Sequence, residues 1–169
     1  MSIRALLLTP VLMLTLLLGA CGFHLRAHDA FALPFQTLHL QAANNFSPFT
    51  AELKRSLQAN HVLLTDSPEQ AQLTLHIVSE KADKQILSLS SGGRVREYIL
   101  QFRVSLRAFD VKQQDWLAAQ EITVKRNFSF DDSQVLAKDR EEELLNQDMR
   151  TDAVQQILRR LNHAKPPLP

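Results

Sequence analysis

Two stretches of the chain alternate between apolar and polar residues, as strands with one buried face do. Over residues 98–108 the even positions are apolar, and the odd positions are polar or charged apart from Ile99. A looser alternation of the same kind runs over residues 116–130. A period of two places alternate side chains on opposite faces of a sheet. We therefore predict two neighbouring strands, joined by a turn at residues 113–115.

A third strand comes before this pair and a fourth lies near the start of the domain. Leu73, Leu75 and Ile77 alternate with polar residues, so a strand is predicted from about residue 72 to about residue 89. Gly92-Gly93 follows it, and glycine tolerates the positive φ that tight hairpin turns need. Residues 37–41 also alternate, which predicts a short half-buried strand.

Two further stretches have the periodicity of amphipathic helices. Ser47 is a good N-cap and Pro48 suits the first helical position, so a helix is predicted over residues 48–59. Its apolar stripe repeats every four residues: Phe49, Leu53 and Leu57. A longer stripe of the same kind runs over residues 145–161, in a helix that residues 131–133 are predicted to cap.

The order of these elements, β-α-β-β-β-α, predicts the fold class. We expect an α+β protein, a two-layer sandwich with both helices on one face of a four-stranded, mostly antiparallel sheet. The other face of the sheet would stay polar. In this interpretation residues 36–163 form a single domain. Residues 21–35 form a tether, and residues 164–169 form a disordered, proline-rich tail.

The first 20 residues have the layout of an export signal. Arg4 precedes an apolar run over residues 5–18, and the small residues Gly19 and Ala20 follow. Cys21, the only cysteine, comes next, in a context that resembles the lipobox of bacterial lipoproteins. This resemblance implies removal of residues 1–20 and a covalent lipid on Cys21. An ordinary secreted protein with a stray thiol is the alternative. Gly22 stands where inner-membrane lipoproteins usually carry Asp, which favours the outer membrane.

Charge and motif content exclude several classes of function. The chain has 169 residues and a formal net charge of +1, which falls to zero when residues 1–20 are removed. A neutral chain lacks the basic field of a nucleic-acid-binding protein, so no nucleic-acid partner is expected. No nucleophile elbow, zinc-protease motif or phosphate-binding loop occurs. We therefore expect no enzyme activity, no catalytic residues, no metal and no cofactor apart from the lipid on Cys21.

Basic residues are predicted to gather at one end of the meander. Arg94 and Arg96 flank the first hairpin, Lys81 and Lys84 lie on the strand before it, and Lys138 opens the last helix. Such a cluster can bind phosphate or a sugar acid. The alternative is a solvated tip that keeps strand edges soluble.

Four short motifs, taken in order, resemble the LptE family of lipopolysaccharide-assembly lipoproteins. They lie at residues 21–26, at Gly93 with Glu97-Tyr98, at residues 128–131 and at residues 136–139. The resemblance implies a plug inside the outer-membrane β-barrel LptD, which needs the lipoprotein for its assembly, and binding of lipopolysaccharide during delivery to the outer leaflet. It carries over Lys138 as a lipopolysaccharide contact. Ser90-Ser91 stands where the family has a basic hairpin residue, so Arg94 or Arg96 would have to substitute.

Two other functions remain open at this point. A free-standing outer-membrane lipoprotein could bind a periplasmic ligand or pilot another secretion pore. An anchored hydrolase would need a nucleophile with a base within hydrogen-bond reach.

Overall fold

The computed structural model describes residues 33–166. The predicted signal peptide, Cys21 and nearly all of the predicted tether lie outside the described residues, as do residues 167–169. Among the described residues no helix is long and apolar enough to cross a membrane.

The described chain folds into one mixed sheet with two helices on one of its faces. Strands β1 (Thr37–Ala42), β2 (Leu63–Thr65), β3 (Leu73–Leu89), β4 (Val95–Phe109) and β5 (Asp115–Ser129) are arranged in the order β2-β1-β3-β4-β5. Helix α1 (Pro48–Ala59) connects β1 to β2, and α2 (Val135–Asn162) follows β5. The predicted α+β class with two helices is confirmed.

The prediction of four mostly antiparallel strands is wrong, because the sheet has five strands and is mixed. β2 pairs in parallel with β1, and β1 in parallel with β3, whereas β3, β4 and β5 form the antiparallel meander. The additional strand β2 has three residues, and Leu63 is 65% exposed. So short a strand at a sheet edge shows no periodicity, and only its pairing with β1 identifies it.

The hydrophobic core lies between the sheet and the helices. The α1 stripe of Phe49, Leu53 and Leu57 is fully buried, and Ser47 caps the helix by accepting a 3.0 Å hydrogen bond from the Thr50 amide. The α2 stripe is also buried: Met149, Ala153, Val154, Ile157, Leu158 and Leu161. Core packing begins before residue 36 and continues past residue 163, since Phe35 and Ala164 are also buried.

A β-bulge at Val78 changes which residues of β3 face the helices. Ile77 pairs with Leu106, but Ser79 pairs with Ser105, so one extra residue is accommodated and Val78 becomes half-exposed. From Glu80 to Ile86 the even-numbered residues lie on the helix face, whereas before the bulge the odd-numbered residues do. Lys84 therefore lies opposite Leu100, on the same face as the helices.

The start of α2 differs from the prediction that residues 131–133 cap it directly. The Asp131 carboxylate accepts a 2.9 Å hydrogen bond from the Ser133 amide, but it caps a short 3-10 turn, Asp132–Gln134. The α-helix begins one turn later, at Val135, and Gln134 makes no side-chain capping bond. The carboxylate is satisfied locally, as in other Asx-type turns.

Candidate functional site

The hairpin tip, which we define as residues 88–97 together with residues 129–138, contains a groove of about 600 Å³. Three segments build it: the β3–β4 hairpin, the end of β5 and the first turn of α2. The Phe130 amide donates a 2.8 Å hydrogen bond to the Arg96 carbonyl oxygen, which ties the end of β5 to the hairpin. Arg96 and Lys138 both line this groove, so the structure brings these two predicted cations to the same site.

Ser90 stands where the resemblance predicts a basic residue, and here its backbone and side chain form the hairpin turn. The Ser90 amide donates to the Arg94 carbonyl oxygen at 2.7 Å, and the Gly93 amide donates to the Ser90 carbonyl oxygen at 3.0 Å. The Ser90 hydroxyl oxygen accepts a further hydrogen bond of 3.1 Å from the Arg94 amide. Gly93 has a φ of 76°, which glycine adopts without strain. Ser90 thus closes the turn, and Arg94 is exposed beside the groove without lining it.

Lys138 is held in place by three contacts. Its ammonium group donates to a Glu141 carboxylate oxygen at 2.9 Å and to the Ser129 hydroxyl at 3.1 Å. The same nitrogen lies 5.6 Å from the centroid of the Phe128 ring. The Lys138 side chain is 15% exposed, whereas that of Glu141 is 47% exposed. A ligand phosphate can therefore take the place of the Glu141 carboxylate while the lysine stays where it is.

Acidic groups also border the groove and balance its cations. Glu97 and Asp131 line it together with Arg96 and Lys138. Hydrogen bonds from the Ser133 amide and hydroxyl, aided by the charge of Lys138, lower the pKa of Asp131 below its ordinary value. Asp131 therefore stays ionised at neutral pH. An anionic ligand must lie against the two basic residues and away from these carboxylates.

Beneath the groove lies a cluster of three aromatic rings that contacts Lys84. Sequence periodicity alone would place this lysine on the opposite face of the sheet. Tyr98 and Phe130 meet edge to face, with ring centroids 5.4 Å apart, and Phe128 packs against both rings. The Lys84 ammonium lies 4.3 Å from the Tyr98 centroid and forms an ion pair with Glu142 of α2. Strict alternation from Ile77 would put Lys84 on the open face, and a bulge leaves no signal in a single sequence.

Lys81, the remaining predicted cation, lies away from the groove. It stands beside Arg103 in register on the open face of the sheet, where Arg103 forms an ion pair with Asp83. His39 also lies outside the tip and bonds through Nδ1 to the Thr65 carbonyl oxygen at 3.0 Å. Over residues 33–166 no group of three or more His, Cys, Asp or Glu side chains is arranged to hold a metal ion.

Comparison with known proteins relates this architecture to one family. A family model described as LptE, lipopolysaccharide-assembly, matches residues 35–161. The LPS-assembly lipoprotein LptE of Pectobacterium atrosepticum is 31% identical over 157 residues, which cover 92% of this chain and 84% of that protein. The LptE protein of Yersinia enterocolitica is 29% identical over 147 residues, covering 86% of this chain and 70% of that protein.

Two solved structures share the fold. The solution structure of lipoprotein B from Nitrosomonas europaea matches with a TM-score of 0.70 and 38% identity, covering 82% of this chain and 88% of that chain. The crystal structure of rare lipoprotein B from Shewanella oneidensis matches with a TM-score of 0.66 and 27% identity, over 73% and 92% of the two chains. The chain belongs to the LptE family of lipopolysaccharide-assembly lipoproteins.

Proposed function

We propose that this chain is a noncatalytic lipoprotein that binds lipopolysaccharide through the groove at its hairpin tip. The observation that carries the proposal is the meeting of Arg96 and Lys138 in one groove at the end of the sheet. A guanidinium group matches two phosphate oxygens at once, and an ammonium group adds a point charge. Helix α2 also begins at the groove without a side-chain cap, and the amino end of a helix favours anions.

The surroundings of the groove suit an amphipathic ligand better than free phosphate. Large apolar side chains are exposed around the same tip: Ile86, Leu87, Leu89, Val135 and Leu136. Leu89 lines the groove itself and is 55% exposed, while Leu136 in the first turn of α2 is 81% exposed. Exposed large apolar side chains beside a groove are typical of sites for lipid or protein contact. The phosphates and acyl chains of lipid A combine the two chemistries that the tip offers.

We further propose that the domain works as a plug inside an LptD-type β-barrel of the outer membrane and assists the assembly of that barrel. The face of the sheet away from the helices is polar, and Arg103, Glu121 and Lys125 lie on it. The lumen of large outer-membrane barrels is polar as well. A polar sheet face can therefore lie against the lumen wall while the tip stays open to lipid.

A first test of the proposed function compares two forms of lipopolysaccharide. Intact lipopolysaccharide should bind the purified lipoprotein, whereas material stripped of its lipid A phosphates should bind roughly tenfold more weakly or worse, because the charge-assisted hydrogen bonds are lost. Isothermal calorimetry of both forms measures the difference. Equal affinity for the two forms would show that the tip does not recognise phosphate.

A second prediction concerns the proposed anchor. Mass spectrometry of the mature protein should find Cys21 as the N-terminal residue, acylated, and no peptide from residues 1–20. One acyl chain gives only marginal membrane binding, so more than one chain is expected. A mature protein with a free Cys21 thiol would refute the anchor and, with it, the proposed attachment to the outer membrane.

A further inference from the structure

A second groove lies at the opposite end of the molecule from the tip. We call this end the base and define it as residues 33–36, 109–117 and 159–166. The groove has a volume of about 480 Å³ and separates the start of β5 from the last turns of α2. Trp116 and Leu117 form one wall, and Arg159, Arg160 and His163 form the other.

The base groove has an excess of basic groups. Among residues 33–166 no acidic side chain lines it, and Asp115, one residue before Trp116, is exposed outside it. The Arg160 guanidinium is already bonded within the domain, since it donates hydrogen bonds to the Gln120 side chain and to the Glu121 carbonyl oxygen. Arg159 and His163 are exposed, and Lys165 is exposed just beyond them. None of these three forms an ion pair with another described residue.

Trp116 gives the base groove an amphipathic wall. The side chain is half-buried, and its indole nitrogen has no hydrogen-bond partner among the described residues. A buried N–H group without an acceptor is unfavourable, and an oxygen atom of a ligand would accept its hydrogen bond once the ring turns toward the groove. Tryptophan is enriched where a protein meets the membrane–water interface, because its body is apolar and its N–H group is polar.

The described chain enters the domain at the same end as this groove, so the tether to the proposed lipid anchor starts there. Residue 33 leads into β1 at the base, where the start of β1 pairs with the start of β3. Leu33 lies twelve positions after Cys21. An extended chain of that length reaches at most about 40 Å. The tip lies at the far end of a 17-residue strand, roughly 55 Å away. An anchor on Cys21 therefore cannot reach the tip, and it lies closer to the base than to the tip whenever the tether spans less than about half of that distance.

We propose that the base groove binds anionic phospholipid headgroups of the membrane that carries the anchor. Arg159, His163 and Lys165 contact the phosphates, and Trp116 enters the interface between headgroups and acyl chains. Cations beside an interfacial aromatic residue and a nearby acylated chain form the combination that holds peripheral proteins on anionic membranes. This inference rests on the proposed anchor at Cys21 and assigns the base a different ligand from the tip.

The experiment uses the mature lipidated protein in vesicles, with Trp116 as the probe, because it is the only tryptophan in the chain. One set of vesicles contains phosphatidylglycerol in phosphatidylcholine, the other phosphatidylcholine alone, and both carry brominated acyl chains that quench tryptophan at short range. We expect most of the Trp116 fluorescence to be lost in the anionic vesicles and little in the neutral ones. The pair Arg159→Glu and Lys165→Glu should remove the quenching in anionic vesicles.

A matched pair with the same change in charge is the control. Arg55 on α1 and Lys125 on the open sheet face are both exposed and lie outside the base. Arg55→Glu with Lys125→Glu should leave the quenching unchanged. If the protein floats with the vesicles but Trp116 is not quenched, the base does not contact the membrane and the proposed anchor stands. If the protein does not float, the anchor itself is refuted. Equal quenching of Trp116 in neutral and anionic vesicles would overturn the recognition of anionic headgroups. So would an equal loss of quenching in the control pair and in the base pair.

Discussion

Reversing two charges at the tip, with Lys138→Asp and Arg96→Asp together, will weaken lipopolysaccharide binding by roughly tenfold or more. Both side chains line the groove at the tip, and each can donate a charge-assisted hydrogen bond to a phosphate. A well-formed bond of this kind contributes about 1.5–3 kcal/mol. Aspartate at the same positions adds repulsion to the loss of those bonds. Calorimetric titration with intact lipopolysaccharide measures the change.

The fold should tolerate this double variant. Arg96 is exposed, and Lys138 loses its hydrogen bonds with Glu141 and Ser129 and its contact with the Phe128 ring, each of which contributes about 0–1 kcal/mol. The variant Arg55→Asp with Lys125→Asp carries the same change in net charge away from the tip and should bind normally. Unchanged lipopolysaccharide binding by the tip variant would show that the basic residues only keep a solvated strand end soluble. A large drop in its melting temperature would show that these residues are structural.

Replacing Phe128 with alanine should destabilise the domain by about 3–5 kcal/mol. The Phe128 ring is 1% exposed and packs against Tyr98 and Phe130, so its removal leaves a cavity beneath the groove. It also removes a ring beside the ammonium groups of Lys84 and Lys138. Urea denaturation followed by circular dichroism gives the free energy of unfolding.

The matched control for Phe128→Ala is Phe46→Ala, because the Phe46 side chain is 96% exposed. That exposed substitution should change the free energy of unfolding by less than about 0.5 kcal/mol. If the two substitutions cost the same, the aromatic cluster does not contribute to the stability of the tip.

The elements with a sustained period could be predicted from the sequence. Helix α1 has the predicted bounds, and the long alternations correspond to β4 and β5. Strand β2 could not be found, since three residues carry no period and its pairing with β1 depends on α1 crossing the sheet. The predicted start of α2 is one turn too early. Asp131 can cap either a 3-10 turn or an α-helix, and the sequence does not distinguish the two.

The part of the candidate site that follows from strand topology could be predicted from the sequence. A hairpin after β3 and the end of β5 must lie at the same end of an antiparallel meander, so Arg96 and Lys138 were expected to meet. The helix-facing position of Lys84 depends on the bulge at Val78, and the role of Ser90 depends on turn hydrogen bonds. The base groove was missed because Trp116 and Arg159 are distant in sequence and each suits a solvated surface equally well.

The most direct test of the account is affinity purification of the lipoprotein from detergent-solubilised outer membranes. The unaltered protein should bring down a large β-barrel together with lipopolysaccharide. The Lys138→Asp, Arg96→Asp variant should retain the barrel and lose most of the lipopolysaccharide, because only the tip is changed. Recovery of the lipoprotein as a monomer with neither component, or of the variant with undiminished lipopolysaccharide, would contradict the proposed function.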